Sequence, residues 1–179
     1  MELSFKNLLL AGALCYGGWT LAHQYGPKSA PALAYTDTSG VSRALNADPK
    51  PAVVVLWVTP CSYCTRSMNV LDQIRRLYPE KDLDVVGFYL NRTSDADIDS
   101  IAAREGHSFT MAQGQPTGEF VRDLTAGFGF RGTGRDIYVV GRDGRYVAVD
   151  ASDLSRPDND ILQQVRSLLI NKHHLKERA

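Results

Sequence analysis

Pro51-Ala52-Val53-Val54-Val55-Leu56-Trp57-Val58-Thr59-Pro60-Cys61-Ser62-Tyr63-Cys64 decides the fold. Its first eight residues are an apolar run of buried-strand length, rich in β-branched side chains. Thr59-Pro60 breaks the run, and the two cysteines follow. From there Cys64, Met68, Leu71, Ile74 and Leu77 recur at helical steps, with Arg66, Asp72, Arg75 and Arg76 expected outward. Pro79 stops the pattern. The reading is a strand over 53–58 that delivers a thiol pair, at i and i+3, to the first turn of a helix over 61–78. A helix N-terminus carries partial positive charge and free N–H groups, and both favour thiolate over thiol. Thiolate is the species that attacks a disulfide. Cys61, nearest the terminus, is the candidate nucleophile, and Cys64 the candidate resolving thiol.

Zinc binding and a structural disulfide are the competing readings of the pair. Zinc asks for four ligands. The third cysteine, Cys15, lies in an apolar N-terminal segment, and His23, His107, His173 and His174 fall at no finger spacing. A disulfide spanning one helical turn closes too short a loop to staple much. No metal ligand set and no organic cofactor is therefore expected.

Beyond the helix, Asp84 to Leu90 reads as a second buried strand. Ser94 caps a helix whose stripe is Ile98, Ile101 and Ala102 and which Gly106 ends. Ser108 to Gln115 is ambiguous, and Phe120 to Phe128 is a short helix. Asp136–Val140 and Arg145–Val149 are strands joined by Gly141-Arg142-Asp143-Gly144, a hairpin signal. A last amphipathic helix starts at Asp158 and ends in a basic tail. The order is that of a mixed α/β domain.

The chain has 179 residues, enough for one domain with an appendage. Twenty Lys plus Arg balance 20 Asp plus Glu, so no global field points to nucleic acid. Residues 8–22 are uncharged and mostly apolar, with one lysine before them. Residues 1–22 are read as a signal peptide or a short membrane anchor, 23–50 as a linker with room for an edge strand, and 51–179 as the folded domain. Thr20-Leu21-Ala22 and Ala32-Leu33-Ala34 are the two cleavage candidates. Either way the domain is expected to be exported, periplasmic or otherwise extracytoplasmic. Leu14 before Cys15 disfavours a lipoprotein signal.

Taken together, residues 50–170 resemble the TlpA/ResA-type branch of the thioredoxin superfamily. The resemblance rests on Trp57 four residues before Cys61, on Asp84 to Asn91, on Glu105-Gly106-His107-Ser108-Phe109-Thr110, on Phe128-Gly129-Phe130-Arg131-Gly132-Thr133, and on Val139 to Arg145. It implies a thioredoxin-like fold and an exported enzyme exchanging disulfides in client proteins, usually as a reductant fed by a membrane electron donor. It also implies that Thr133, Gly134 and Arg135 form the loop that meets substrate. Three departures stand out. Where the family has a cis-proline, this chain has Gly134 or Arg135, depending on the direction of counting, and a cis bond there would cost about 3–4 kcal/mol, so the loop is expected to be trans. Arg135 is then either a cation beside Cys61 or a surface charge. Val55 stands where thioredoxins have a buried acid, and Pro60 where they have tryptophan. The dipeptide Ser62-Tyr63 is closer to that of disulfide isomerases and glutaredoxins than to that of reductants. The alternative is a binding module of an envelope assembly that uses the scaffold with a vestigial or metal-holding pair. A peroxidase wants threonine three residues before its cysteine, and Val58 is there.

Overall fold

The computed structural model describes residues 28–46, 50–91, 94–113, 118–130 and 132–178. The segment 1–22 read as signal peptide or anchor, with Cys15 and the Thr20-Leu21-Ala22 site, lies outside them, as does His23. None of the described helices is long and apolar enough to cross a membrane.

The elements in chain order are β1 (Lys28–Ser29), β2 (Leu33–Thr36), β3 (Ser42–Leu45), β4 (Ala52–Trp57), α1 (Ser62–Leu77), β5 (Asp84–Tyr89), α2 (Asp95–Glu105), β6 (Thr110–Gln113), α3 (Gly118–Gly127), β7 (Asp136–Val140), β8 (Arg145–Asp150) and α4 (Asp158–Ser167), the last continued by a π-helical turn to Lys172. Six strands form one mixed sheet in the order β1-β8-β7-β4-β5-β6. β4 runs parallel to β5 and antiparallel to β7, with Trp57 opposite Tyr89 and Val55 opposite Ile137. This is the thioredoxin-like arrangement, with the apolar run of the sequence at its centre.

All six residues of β4 are buried, as a strand covered on both faces requires. Their alternation splits the core. Val53, Val55 and Trp57 face Met68, Leu71 and Ile74 of α1, Ile98 of α2 and Val165 of α4. Val54 and Leu56 face Tyr35, Leu45, Phe120, Leu124 and Phe128. Each such aliphatic side chain contributes about 1.5–3 kcal/mol by leaving water.

Three places differ from the sequence reading. Ser108 to Gln115, ambiguous by pattern, supplies β6, whose partner is β5, so its strand character comes from pairing rather than alternation. Within the predicted linker, β1 pairs with β8, and β2 and β3 form a hairpin bridged to β6 through Asp37 and Ala112. The Ala32-Leu33-Ala34 site runs into that hairpin. Arg66 and Asp72, expected outward, are each only 7 % exposed. Arg66 turns in because Asp158 of α4 meets its Nε at 2.6 Å. Asp72 turns in because His107 and the Ser108 backbone receive it.

Candidate redox site

β4 ends at Trp57, and Thr59-Pro60 turns the chain into α1 through a cis peptide bond. Cys61 is the N-cap of α1, in extended conformation, and its sulfur accepts the Cys64 N–H at 3.2 Å. A sulfur thus takes the place that Ser or Asp usually fills, satisfying one of the free donors of the first turn. Cys61 and Cys64 are joined as a disulfide, with Cα atoms 5.2 Å apart. Cys61 is partly exposed, whereas Cys64 is 2 % exposed and belongs to the core. Only the first sulfur of the pair is open to a large partner.

The loop before β7 closes over the pair. Thr133 brings its carbonyl oxygen to 3.7 Å and its hydroxyl to 3.8 Å from the Cys61 sulfur. Gly134 lies against Cys64: its N–H donates to Leu56 O at 2.7 Å, and its carbonyl accepts from Ser67 Oγ at 2.6 Å. Its φ is +63°, and a Cβ there would stand 2.5 Å from Cα of Cys64. Glycine is required twice over, by backbone conformation and by space. Of the two counts across this loop, the one placing Gly134 against the cysteine pair describes the contact. Thr59-Pro60 is the one cis bond among the described residues, so this loop is trans. Arg135 is exposed. Its carbonyl accepts the Ala151 N–H, and its guanidinium lies 3.5 Å from Ser152 Oγ, with no hydrogen bond to either sulfur among the described residues.

A cleft of about 320 Å³ opens beside the pair, walled by Trp57, Pro60, Cys61, Cys64, Met68 and Glu105 among others. Trp57 packs on Tyr89 at 4.5 Å, and the Tyr89 hydroxyl meets Thr59 Oγ1 at 2.8 Å. The Trp57 ring N–H is buried without a hydrogen-bond partner among the described residues. Val55 is fully buried, so β4 offers no acid beneath the sulfurs. Tyr63 and Phe130 are exposed aromatic rings, one between the two cysteines and one in the approach to Thr133. Among the described residues, no group of three or more His, Cys, Asp and Glu is arranged to hold a metal ion.

Glu105, His107 and Asp72 were not singled out by sequence as site residues. Asp72 Oδ2 lies 2.6 Å from Nδ1 of His107, and Glu105 Oε2 lies 3.1 Å from its Nε2. Burial pushes the Asp72 carboxyl up, but bonds from His107 and Ser108 outweigh it and hold the group below the ordinary carboxylate range. Burial likewise pushes the His107 ring down, and the Asp72 and Glu105 contacts overcome it and raise the ring above its ordinary value. The usable sequence signal was spacing: Asp72 follows Cys64 and Met68 at four-residue steps, on the stripe that faces the core.

The Redoxin family model matches residues 26–164. None of the curated proteins matches the chain. Solved structures share the fold. A thiol:disulfide interchange protein from Bacteroides sp. is 22 % identical, over 83 % of this chain and 95 % of that one, with a TM-score of 0.60. A secreted Mycobacterium tuberculosis disulfide oxidoreductase homologous to E. coli DsbE is 17 % identical, over 76 % and 96 %, at 0.59. The thioredoxin domain of a Bacteroides vulgatus thiol-disulfide oxidoreductase is 22 % identical, over 79 % and 96 %, at 0.63. The chain belongs to the Redoxin family, and solved structures that share its fold include thiol–disulfide oxidoreductases.

Proposed function

We propose that the chain is an exported thiol–disulfide oxidoreductase that reduces disulfides in client envelope proteins, with Cys61 attacking and Cys64 resolving. The observation that carries this is the asymmetry of the pair: Cys61 partly open at the helix cap, Cys64 buried one turn behind it. With the pair reduced, the Cys64 N–H and the helix dipole favour the Cys61 thiolate. That thiolate attacks one sulfur of a client disulfide; a mixed disulfide forms and the other client sulfur leaves as thiolate. Cys64, deprotonated, then attacks Cys61, releasing the second client thiolate and leaving the Cys61–Cys64 disulfide. Two electrons pass to the client, and a membrane electron donor returns them to the pair. Thr133 stands beside the Cys61 sulfur, and Thr133, Gly134 and Arg135 are the loop proposed to meet the client, with the exposed rings of Tyr63 and Phe130 as further candidate contacts. Export draws its support from the apolar residues 8–22, which would serve as leader or inner-membrane tether, and from the secreted relative; the reducing direction draws its support from the resemblance to the TlpA/ResA-type branch.

Replacing Cys64 by Ala removes resolution, so clients should accumulate on Cys61 as mixed disulfides that dithiothreitol releases. A Cys64→Ala chain whose Cys61 is alkylated readily but captures nothing contradicts exchange and leaves the binding-module reading.

A further inference from the structure

An acid–imidazole–acid chain, buried at Asp72 and His107 and partly exposed at Glu105, runs from the middle of α1 to the wall of the redox cleft. Asp72 receives the His107 Nδ1 at 2.6 Å through Oδ2, while its Oδ1 accepts the Ser108 N–H at 2.7 Å and the Ser108 hydroxyl at 3.0 Å. On the other side of the ring, Nε2 meets Glu105 at 3.1 Å. The His107 side chain is 1 % exposed, Glu105 34 %. Glu105 lines the cleft that Cys61 and Cys64 also line. His107 itself lines a second cleft of about 440 Å³, together with Asp37, Arg43 and Asp99.

Resolution has a proton requirement. Cys64 is buried, and burial favours the neutral thiol, which does not attack. β4, with Val55, supplies no acceptor. We propose that Glu105 takes the Cys64 proton through solvent in the cleft and hands it to Nε2 of His107, whose Nδ1–H is held by Asp72. The relay rests on the exchange reading above. In the step, the Cys64 S–H bond breaks and its proton passes to the Glu105 carboxylate and on to the neutral imidazole, which becomes imidazolium. The sulfur electron pair attacks the Cys61 sulfur, and the client sulfur leaves as thiolate. Re-reduction of the pair runs the proton the other way.

The groups that face the ring fit this work. Asp72 comes from α1 and Glu105 from α2, while Arg104 lines the redox cleft and Asp37, Arg43 and Asp99 line the second one. The raised His107 value moves the imidazole toward the range of a thiol, about 8.5, and proton transfer is most efficient between matched groups. Glu105, 34 % exposed, gives the proton a way to solvent.

A small aromatic disulfide, dithiobis(nitrobenzoate), reads the two sulfurs separately in the full chain carrying Cys15→Ser. Attack by reduced Cys61 releases the first coloured thiolate, and resolution by Cys64 releases the second. With Glu105→Gln, the second release at neutral pH should slow by about 10²-fold relative to the first, and its pH dependence should move upward, with partial rescue by Glu105→Asp. Identical second-release pH profiles in the wild type and Glu105→Gln overturn the relay. Should that variant not fold, the wild-type His107 ring decides by NMR: its titration midpoint differs between disulfide and dithiol forms if the ring is coupled to the pair, and an unchanged midpoint overturns the relay. A wild-type chain with no second release sinks the exchange reading itself, and the relay with it.

Discussion

At its first turn α1 meets the rest of the protein through backbone and small side chains; at its third turn it meets it through charge. Over Cys61 and Cys64 lie Thr133 O and the Gly134 backbone, whose carbonyl Ser67 Oγ holds. Around Asp72 they are the His107 ring and two donors of Ser108. On the proposed exchange, a sulfur that another protein's sulfur must reach cannot sit under bulky side chains, so tightness there comes from close approach. The helix is instead pinned two turns away, where no client needs access. The two regions should respond differently to substitution.

The largest effect is expected at Gly134. Gly134→Ala forces a Cβ to 2.5 Å from the Cys64 backbone and adds the strain of a positive φ. Urea unfolding should show a loss of about 3 kcal/mol or more. A loss below about 1 kcal/mol would mean that the loop yields and that the first turn is not closely packed. Next is Asp72→Asn, which leaves the His107 ring without its anion and should lower stability by about 2–3 kcal/mol. If it proves neutral, charge does not pin the third turn. Ser67→Ala, which strands the Gly134 carbonyl, should be smaller, about 1–2 kcal/mol. An effect as large as that of Gly134 would show that the hydroxyl, not close approach, holds the loop.

The shallowest expected effect is with pH. His107 is raised in the folded state, so its contribution is complete below its unfolded value, about 6.5, and fades as pH rises through the folded one. Asp72 is depressed, so its contribution is complete above its unfolded value, about 3.9, and fades as pH falls below it. The pair therefore stabilises most between about pH 4 and 6.5. A pH series of unfolding free energies should show an alkaline decline that His107→Gln flattens, and an equal decline in both chains would remove charge from the account of the third turn.

The β4–α1 unit was legible because its signals are local: an apolar run, a Pro break and a helical stripe lie within 30 consecutive residues of one another. The same holds for the Ser94 cap, the Gly106 stop and the 141–144 turn, all of which occur as read. What periodicity misjudged was charge. Asp72 and Arg66 read as solvent-facing because a helix pattern carries no word of partners 35 and 92 residues away. β6 has no alternation of its own and needs β5 beside it. Counting could not choose between Gly134 and Arg135; the lack of space over Cys64 does. The cysteine pair itself was plain from spacing, but Glu105 beside it depends on how α2 is laid against α1, which is a tertiary fact.

The most direct test is to equilibrate the full chain with glutathione at graded ratios and read the Cys61–Cys64 state by alkylation and mass. An exchange-active reductant gives one reversible two-electron transition near about −270 mV. A pair that never leaves one state at any ratio contradicts exchange, and a transition near about −120 mV contradicts the reducing direction.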